Sequence, residues 1–166
     1  MNLALIDQCF LAKQLKVVMI RAPTKLKMSD SKVEIKLEIP SVDEYTELRN
    51  VAGLSSFKKE AAAIGLPNSW ASVCVRLADG QLIGMGRIIG DGGQFFQVVD
   101  IAVRPSHQKR GYGKKIMTTL CNELDTRAPK SAFVSLLADG EAHRLYRQFG
   151  FEFSAPYSLG MQRTIE

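Results

Sequence analysis

The sequence predicts a mixed α/β (α+β) fold: a mostly antiparallel sheet with one parallel pair inside it and helices on both faces. Three observations carry this. Residues 70–103 hold three strand-like runs separated by Asp79-Gly80 and by Gly90-Asp-Gly-Gly93, turn sequences that fold an antiparallel meander. Met117, Leu120, Cys121 and Leu124 form a helical stripe between the third run and a short apolar run at 132–137. A strand–helix–strand unit of this kind sets its two strands parallel.

The elements follow in order. Val33, Ile35, Leu37 and Ile39 alternate with Glu34, Lys36 and Glu38, a half-exposed strand that Pro40 stops. Ser41 and Glu44 have capping-box spacing and open a helix with Val42, Tyr45 and Leu48 on one side, closed by Gly53. A shorter helix is predicted from about Ser56 to Ile64, before Gly65 and Pro67. The meander strands are read as 70–77, 81–89 and 94–103. The helix bearing Met117 ends at Pro129, and Ala142, Leu145, Tyr146 and Phe149 give a further stripe ended by Gly150. Phe151–Phe153 and Leu159–Ile165 are predicted as closing strands, with Met161 and Ile165 on one face, an edge on which a homodimer could pair.

Composition bounds the function classes. The 166 residues are 46% hydrophobic and 23% charged, ordinary for a globular chain with a packed core. No apolar run reaches the length of a membrane span, so no membrane partner is expected. Cys9, Cys74 and Cys121 are far apart and odd in number, which argues for reduced, packed thiols, no metal site and a cytoplasmic protein. The formal charge of +5 is concentrated at the start: residues 1–27 carry five basic side chains and one acidic, the rest 17 and 16. A near-neutral body gives no reason to expect nucleic acid. Residues 1–32 are read as an N-terminal extension, flexible or weakly docked, and 33–166 as the folded domain. Residues 1–27 fit a mitochondrial import signal only loosely, because they lack its serine and arginine richness. Met28 could also serve as an alternative start.

The informative stretch is Val99 to Lys114. A strand ends at Arg104-Pro105, and a loop then delivers Gly111 and Gly113 to the start of a helix. Glycine lets main chain approach a ligand closely. The first amides of a helix have no internal partner, and with the helix dipole they make an anion site. Lys109, Arg110 and Lys114 add positive charge, so a phosphate-bearing ligand is expected. It is not a dinucleotide or P-loop site. Ile116 stands where a dinucleotide fingerprint needs its third glycine, and Gln108 and Lys115 stand where a P-loop needs Gly and Ser or Thr.

Gln108-Lys-Arg-Gly-Tyr-Gly113 resembles the Q/R-x-x-G-x-G/A acetyl-CoA motif of the GNAT N-acetyltransferases, and Tyr146-Arg-Gln-Phe-Gly-Phe151 resembles that family's later Y-x-x-x-G-F. The likeness spans almost all of 33–166. It implies acetyl-CoA as co-substrate, held in a cleft where the parallel pair splays. Main-chain groups of Ile101, Ala102 and Val103 would pair with the pantetheine arm. Gln108, Lys109, Arg110, Gly111, Tyr112, Gly113 and Lys114 would hold the pyrophosphate. Asp139 replaces the asparagine that the family often places against the cofactor arm. It is carried as a weak cofactor contact and read mainly as a helix N-cap.

The resemblance also implies the chemistry: transfer of acetyl from the thioester to a primary amine of a small molecule, in the amino-acid, polyamine or arylalkylamine class. A peptide amine, or a non-catalytic acyl-CoA sensor, remains an alternative. The departing thiolate needs a proton, and a tyrosine near pKa 10 facing a thiol near 8.5 is a workable acid, uphill by roughly 2 kcal/mol. Tyr146 is the candidate, with plain packing as its competing role. A base is less evident. Gln97 stands where relatives often carry glutamate. Asp100, the nearest acid, is read either as binding the substrate ammonium or relaying its proton, or as satisfied by neighbouring amides. Trp70 is read as an amine-site floor by cation–π contact or as a hydrophobic plug. His107 and His143 are expected at the surface, and Cys121 in inert packing.

Overall fold

The computed structural model describes residues 33–165. The expected extension, with Cys9 and Met28, lies outside them. Five strands form one sheet in the order β1-β2-β3-β4-β5: β1 (Glu34–Leu37), β2 (Ala71–Arg76), β3 (Leu82–Gly90), β4 (Phe95–Val103) and β5 (Phe133–Leu136). All neighbours are antiparallel except β4 and β5, which run parallel. The predicted meander and crossover are both present.

The turns explain the meander. Gly80 has φ +89° and donates to the Leu77 carbonyl at 2.9 Å, while Asp79 Oδ1 receives the Gln81 amide at 3.0 Å. Asp91 Oδ1 receives the amides of Gly93, Gln94 and Phe95, which fixes the second turn by one side chain.

Helices α1 (Val42–Ala52) and α2 (Lys59–Gly65) cover one sheet face, where Tyr45, Leu48, Ala62 and Leu66 pack on Cys74, Leu82 and Met85. The capping box is formed as predicted: the Glu44 amide donates to Ser41 Oγ at 3.3 Å and the Ser41 amide to Glu44 Oε2 at 3.0 Å. Gly53 closes α1 in the left-handed region at φ +80°. Arg76 on β2 ties this helix start to the sheet, pairing with Glu38 and, at 2.5 Å, with Glu44. Its guanidinium holds the Glu44 carboxyl down at about 2.

Helix α3 (Tyr112–Arg127) covers the opposite face with Ile116, Met117, Leu120 and Leu124 on Val73, Val75, Ile83, Ile88 and Val98. Gly86 lets it sit close: a Cβ there would stand 2.6 Å from Ile101 Cδ1 and from Ile116 Cγ2. The stripe at 142–149 is not one helix. It is a 3-10 turn (Gly140–Ala142), a single turn α4 (His143–Tyr146) and another 3-10 turn (Arg147–Phe149), closed by Gly150 at φ +80°.

The two closing strands are not formed. Residues 151–165 have no ladder partner among the described residues, and Tyr157, Met161 and Ile165 are 98%, 95% and 75% exposed. Alternating apolar residues make a strand only when a neighbour takes up their main-chain groups. Here the local bond is instead a turn from the Ser158 amide to the Ser154 carbonyl at 3.0 Å.

Candidate functional site

The parallel pair spans only the first part of β4. β4 and β5 stay in register from Phe95 opposite Phe133 to Val98 opposite Leu136, and there the ladder stops. β4 continues to Val103 on β3 alone. Among the described residues, Val99, Asp100, Ile101, Ala102 and Val103 therefore have no strand on their outer side.

Beyond Arg104 a 3-10 turn (Pro105–His107) leads into the glycine loop. Lys109 at φ +59° and Gly111 at φ +81° are both left-handed, flanking Arg110. Such alternation turns successive amides to one side, a concavity suited to anions. Lys115 makes the first bond of α3, to the Gly111 carbonyl at 3.1 Å. Among the described residues, the amides of 109–114 donate to no protein group. The loop is braced by side chains instead: Gln108 Nε2 donates to the Val103 carbonyl at 3.0 Å and Arg110 Nη2 to the Ser106 carbonyl at 3.2 Å. Six free amides, a helix start and the charges of Lys109, Arg110 and Lys114 fit a diphosphate.

Tyr146 is 8% exposed, its ring edge-on to Phe151 at 6.5 Å. It lines a cavity of about 180 Å³ with Leu136, Ala138, His143 and Phe153. Its hydroxyl has no hydrogen-bond partner among the described residues, yet it is not among the polar atoms sealed from solvent. Burial raises its proton affinity, and the charge of Asp139 adds to this. The group is thus held as a phenol. Asp139 occupies the N-cap position of the short 3-10 turn but its side chain makes no capping bond, so the N-cap reading is corrected. The turn is closed by main chain, from the Ala142 amide to the Asp139 carbonyl at 3.0 Å.

Asp100 differs from both readings of it. It has φ +59° at an irregularity where β4 slips against Met85 and Arg87 of β3. Its side chain is only 7% exposed and is held by side chains rather than amides. Arg49 of α1 pairs with Oδ1; Arg87 Nε donates to Oδ2 at 2.7 Å and the Tyr45 hydroxyl to Oδ2 at 3.1 Å. Two guanidiniums on one carboxylate leave the group net positive, so an incoming ammonium would be repelled. Burial, then the Asp100 charge, keeps Tyr45 protonated. Sequence reasoning missed Tyr45, Arg49 and Arg87. Arg49 follows Tyr45 by four on the inward stripe of α1, and Arg87 is the charged residue of an otherwise apolar strand; both were visible signals.

Trp70 stands apart from this end of the molecule. It packs edge-on to Phe96 at 4.8 Å and lies 4.2 Å under the Arg127 guanidinium at the far end of α3. Sixteen helical residues separate that end from the glycine loop, roughly 24 Å. Trp70 thus packs against the core on one side and the Arg127 guanidinium on the other. Gln97, opposite Ile89 and Ser135, is half-buried. His107 is also corrected. It is buried, with Nδ1 2.9 Å from Ser106 Oγ and Nε2 unpaired. His143 is half-buried beside Phe153, ring centroids 5.4 Å apart. Cys121 packs on the α3 core, its thiol raised by burial, as expected of an inert residue.

A mixed sheet parted at its parallel pair, followed by a glycine loop opening a helix, defines the class of acyl-CoA-using acetyltransferases. Residues 69–153 match the family model described as "Acetyltransferase (GNAT) domain". A probable acetyltransferase of unknown function from methicillin-resistant Staphylococcus aureus is 43% identical, with TM-score 0.77, over 81% of this chain and 100% of that one. A GNAT-family acetyltransferase from Streptococcus pneumoniae is 25% identical, with TM-score 0.65, over 81% and 98%. The ribosomal-protein-S18-alanine N-acetyltransferase of Escherichia coli shares the fold, at 17% identity and TM-score 0.61, over 73% and 78%. No curated protein matches. The chain belongs to the GNAT acetyltransferase family. No described helix is long and apolar enough to cross a membrane.

Proposed function

We propose that this acetyltransferase moves the acetyl group of acetyl-CoA to the primary amine of a small molecule by direct attack, with Tyr146 as general acid. The observation that carries this is the set of unpaired amides at 109–114 beside the open edge of β4. Those amides, with Lys109, Arg110 and Lys114, would hold the diphosphate, and Ile101, Ala102 and Val103 the pantetheine arm. Asp139 would lie near that arm. Acetyl-CoA supplies an activated thioester. The amine nitrogen forms the new C–N bond as the C–S bond breaks. The Tyr146 Oη proton would go to the departing sulfur, the proton lost by the amine to water, and water would return a proton to the Tyr146 phenolate.

Water is the acceptor in this reading because neither β4 position read for a base, 97 or 100, offers a free carboxylate. Position 97 is glutamine, and Asp100 is committed to two arginines. The net positive cluster assists in another way, since a nearby cation favours the neutral form of an amine.

The test is thiol release from acetyl-CoA over a panel of primary amines. Turnover with at least one amine is expected, and Tyr146→Phe should lower kcat by about 10²–10⁴-fold with acetyl-CoA affinity unchanged. Unchanged kcat would remove Tyr146 from the chemistry. The second reading, an acyl-CoA sensor, is favoured by the absence of a free carboxylate at 97 and 100. Tight cofactor binding with no thiol release from any amine would establish it.

A further inference from the structure

The cavity beneath α1 and α2, about 210 Å³, is lined by Tyr45, Phe57, Ala61, Ala62, Leu66 and Arg87. Among the described residues, no acidic side chain lines it. Arg87 is 8% exposed, and its donors are mostly committed: Nε to Asp100, Nη1 to the Gly65 carbonyl at 3.2 Å and to Ser69 Oγ at 2.8 Å. Its Nη2 has no partner among the described residues and is not among the atoms sealed from solvent. At Arg49, by contrast, every nitrogen has a partner. Nε and Nη2 both donate to the Ser55 carbonyl, Nη1 to Asp100 and Tyr45, and the guanidinium lies 4.5 Å over the Phe57 ring. Two guanidiniums share one carboxylate, so the cluster as a whole holds one net positive charge, and its one donor nitrogen without a partner among the described residues is Arg87 Nη2.

An uncompensated buried charge is costly, and a ligand of opposite sign removes that cost. The location fits a substrate. Arg87 stands opposite Val99, one residue past the last β4–β5 pair, so the cavity borders β3, the strand next to the unpaired stretch of β4. We propose that the amine acetylated here also carries a carboxylate, which the free Nη2 of Arg87 receives in the cavity beneath α1 and α2. This rests on the amine-acetylation reading above and selects amino acids from its three amine classes. A single net positive charge matches a carboxylate monoanion better than a phosphate dianion. Polyamines, with two or more positive charges, meet a cluster of their own sign.

Binding and turnover separate the two claims. Isothermal titration of the full-length, CoA-saturated protein would compare L-phenylalanine with 2-phenylethylamine and L-leucine with 3-methylbutylamine. The acid is expected to bind at least about tenfold tighter in at least one pair, roughly 1.4 kcal/mol. Equal or tighter binding of the decarboxylated amines, or no binding of either acid, overturns the inference whether or not thiol is released. Tighter binding of O-phosphoethanolamine than of 3-aminopropanoate assigns the site to phosphate and overturns the carboxylate. Thiol release absent with every amine, alongside retained acid binding, sinks the acetylation reading and leaves the carboxylate site standing. Arg87→Lys keeps a cation beside Asp100 but removes Nη2, so the acid-to-amine affinity ratio should fall at least about fivefold, by roughly 1 kcal/mol. An unchanged ratio overturns the assignment to Arg87. If that variant does not fold, the wild-type comparison of acids with amines decides alone.

Discussion

Burial, helped by the charges of Arg110 and Arg104, pushes the proton affinity of His107 below its ordinary value. The unfolded chain therefore binds this proton more readily than the folded one does. The resulting stability is present above the ordinary histidine pKa of about 6.5 and is lost as pH falls through the lowered folded value. Urea unfolding at pH 7.5 and pH 5 should show weaker folding at the lower pH. His107→Gln should remove part of that slope; an unchanged slope would place the titrating group elsewhere. Nothing in the sequence marked His107 as interior. Its neighbours Arg104, Ser106 and Lys109 are polar, and burial arises only because Pro105 starts a 3-10 turn that folds the ring inward. The same limit hid the Asp100 cluster. Each of Arg49, Arg87 and Asp100 is legible as a charge in an apolar register, but their meeting depends on three elements that only the sheet brings together.

At the level of elements, Arg76 joins the two acids that bracket the entry to α1, Glu38 and Glu44. Glu44 is ionised down to about 2 in the folded chain, against an ordinary value near 4.5. Its contribution is complete above about pH 4.5 and is lost as pH falls toward 2. Acid unfolding followed by circular dichroism should therefore show less pH dependence in this window for Arg76→Gln than for the wild type. Equal slopes would mean that Arg76 does not set the Glu44 proton affinity. This corner was readable in advance, because Ser41, Glu44 and Gly53 are local signals acting within a few residues. The closing strands were misread for the opposite reason. Leu159 and Met161 alternate as a strand would, but alternation says nothing about whether a neighbouring edge is paired with them, and 151–165 pairs with none of the described strands.

The whole molecule is a sheet with a separate core on each face, one centred on Leu48, the other on Leu120. Both side chains are fully buried. Neighbouring positions along β2 and β3 feed both cores, Val73 and Val75 one and Cys74 the other. Loss of either layer therefore strips one face of the same strands. Leu48→Ala and Leu120→Ala should each cost about 2–5 kcal/mol and lower one shared calorimetric transition. Two resolved transitions, with only one moved by each variant, would show that the faces melt independently. The overall architecture was legible because turn sequences and stripe spacing dictate the meander and the crossover. The candidate cofactor loop was legible because six contiguous residues, Gln108 to Gly113, carry its motif.

The early halt of the β4–β5 ladder has an evolutionary consequence. Whatever lies along the vacant flank of residues 99–103 meets peptide groups, which every amino acid possesses, so substitutions cannot readily erase that attachment. If Arg87 receives the acceptor's carboxylate as proposed, discrimination among acceptors would fall instead to side chains under the opposite helices, which a single codon change can replace. Descendants of this scaffold can drift in what they modify while keeping the same donor.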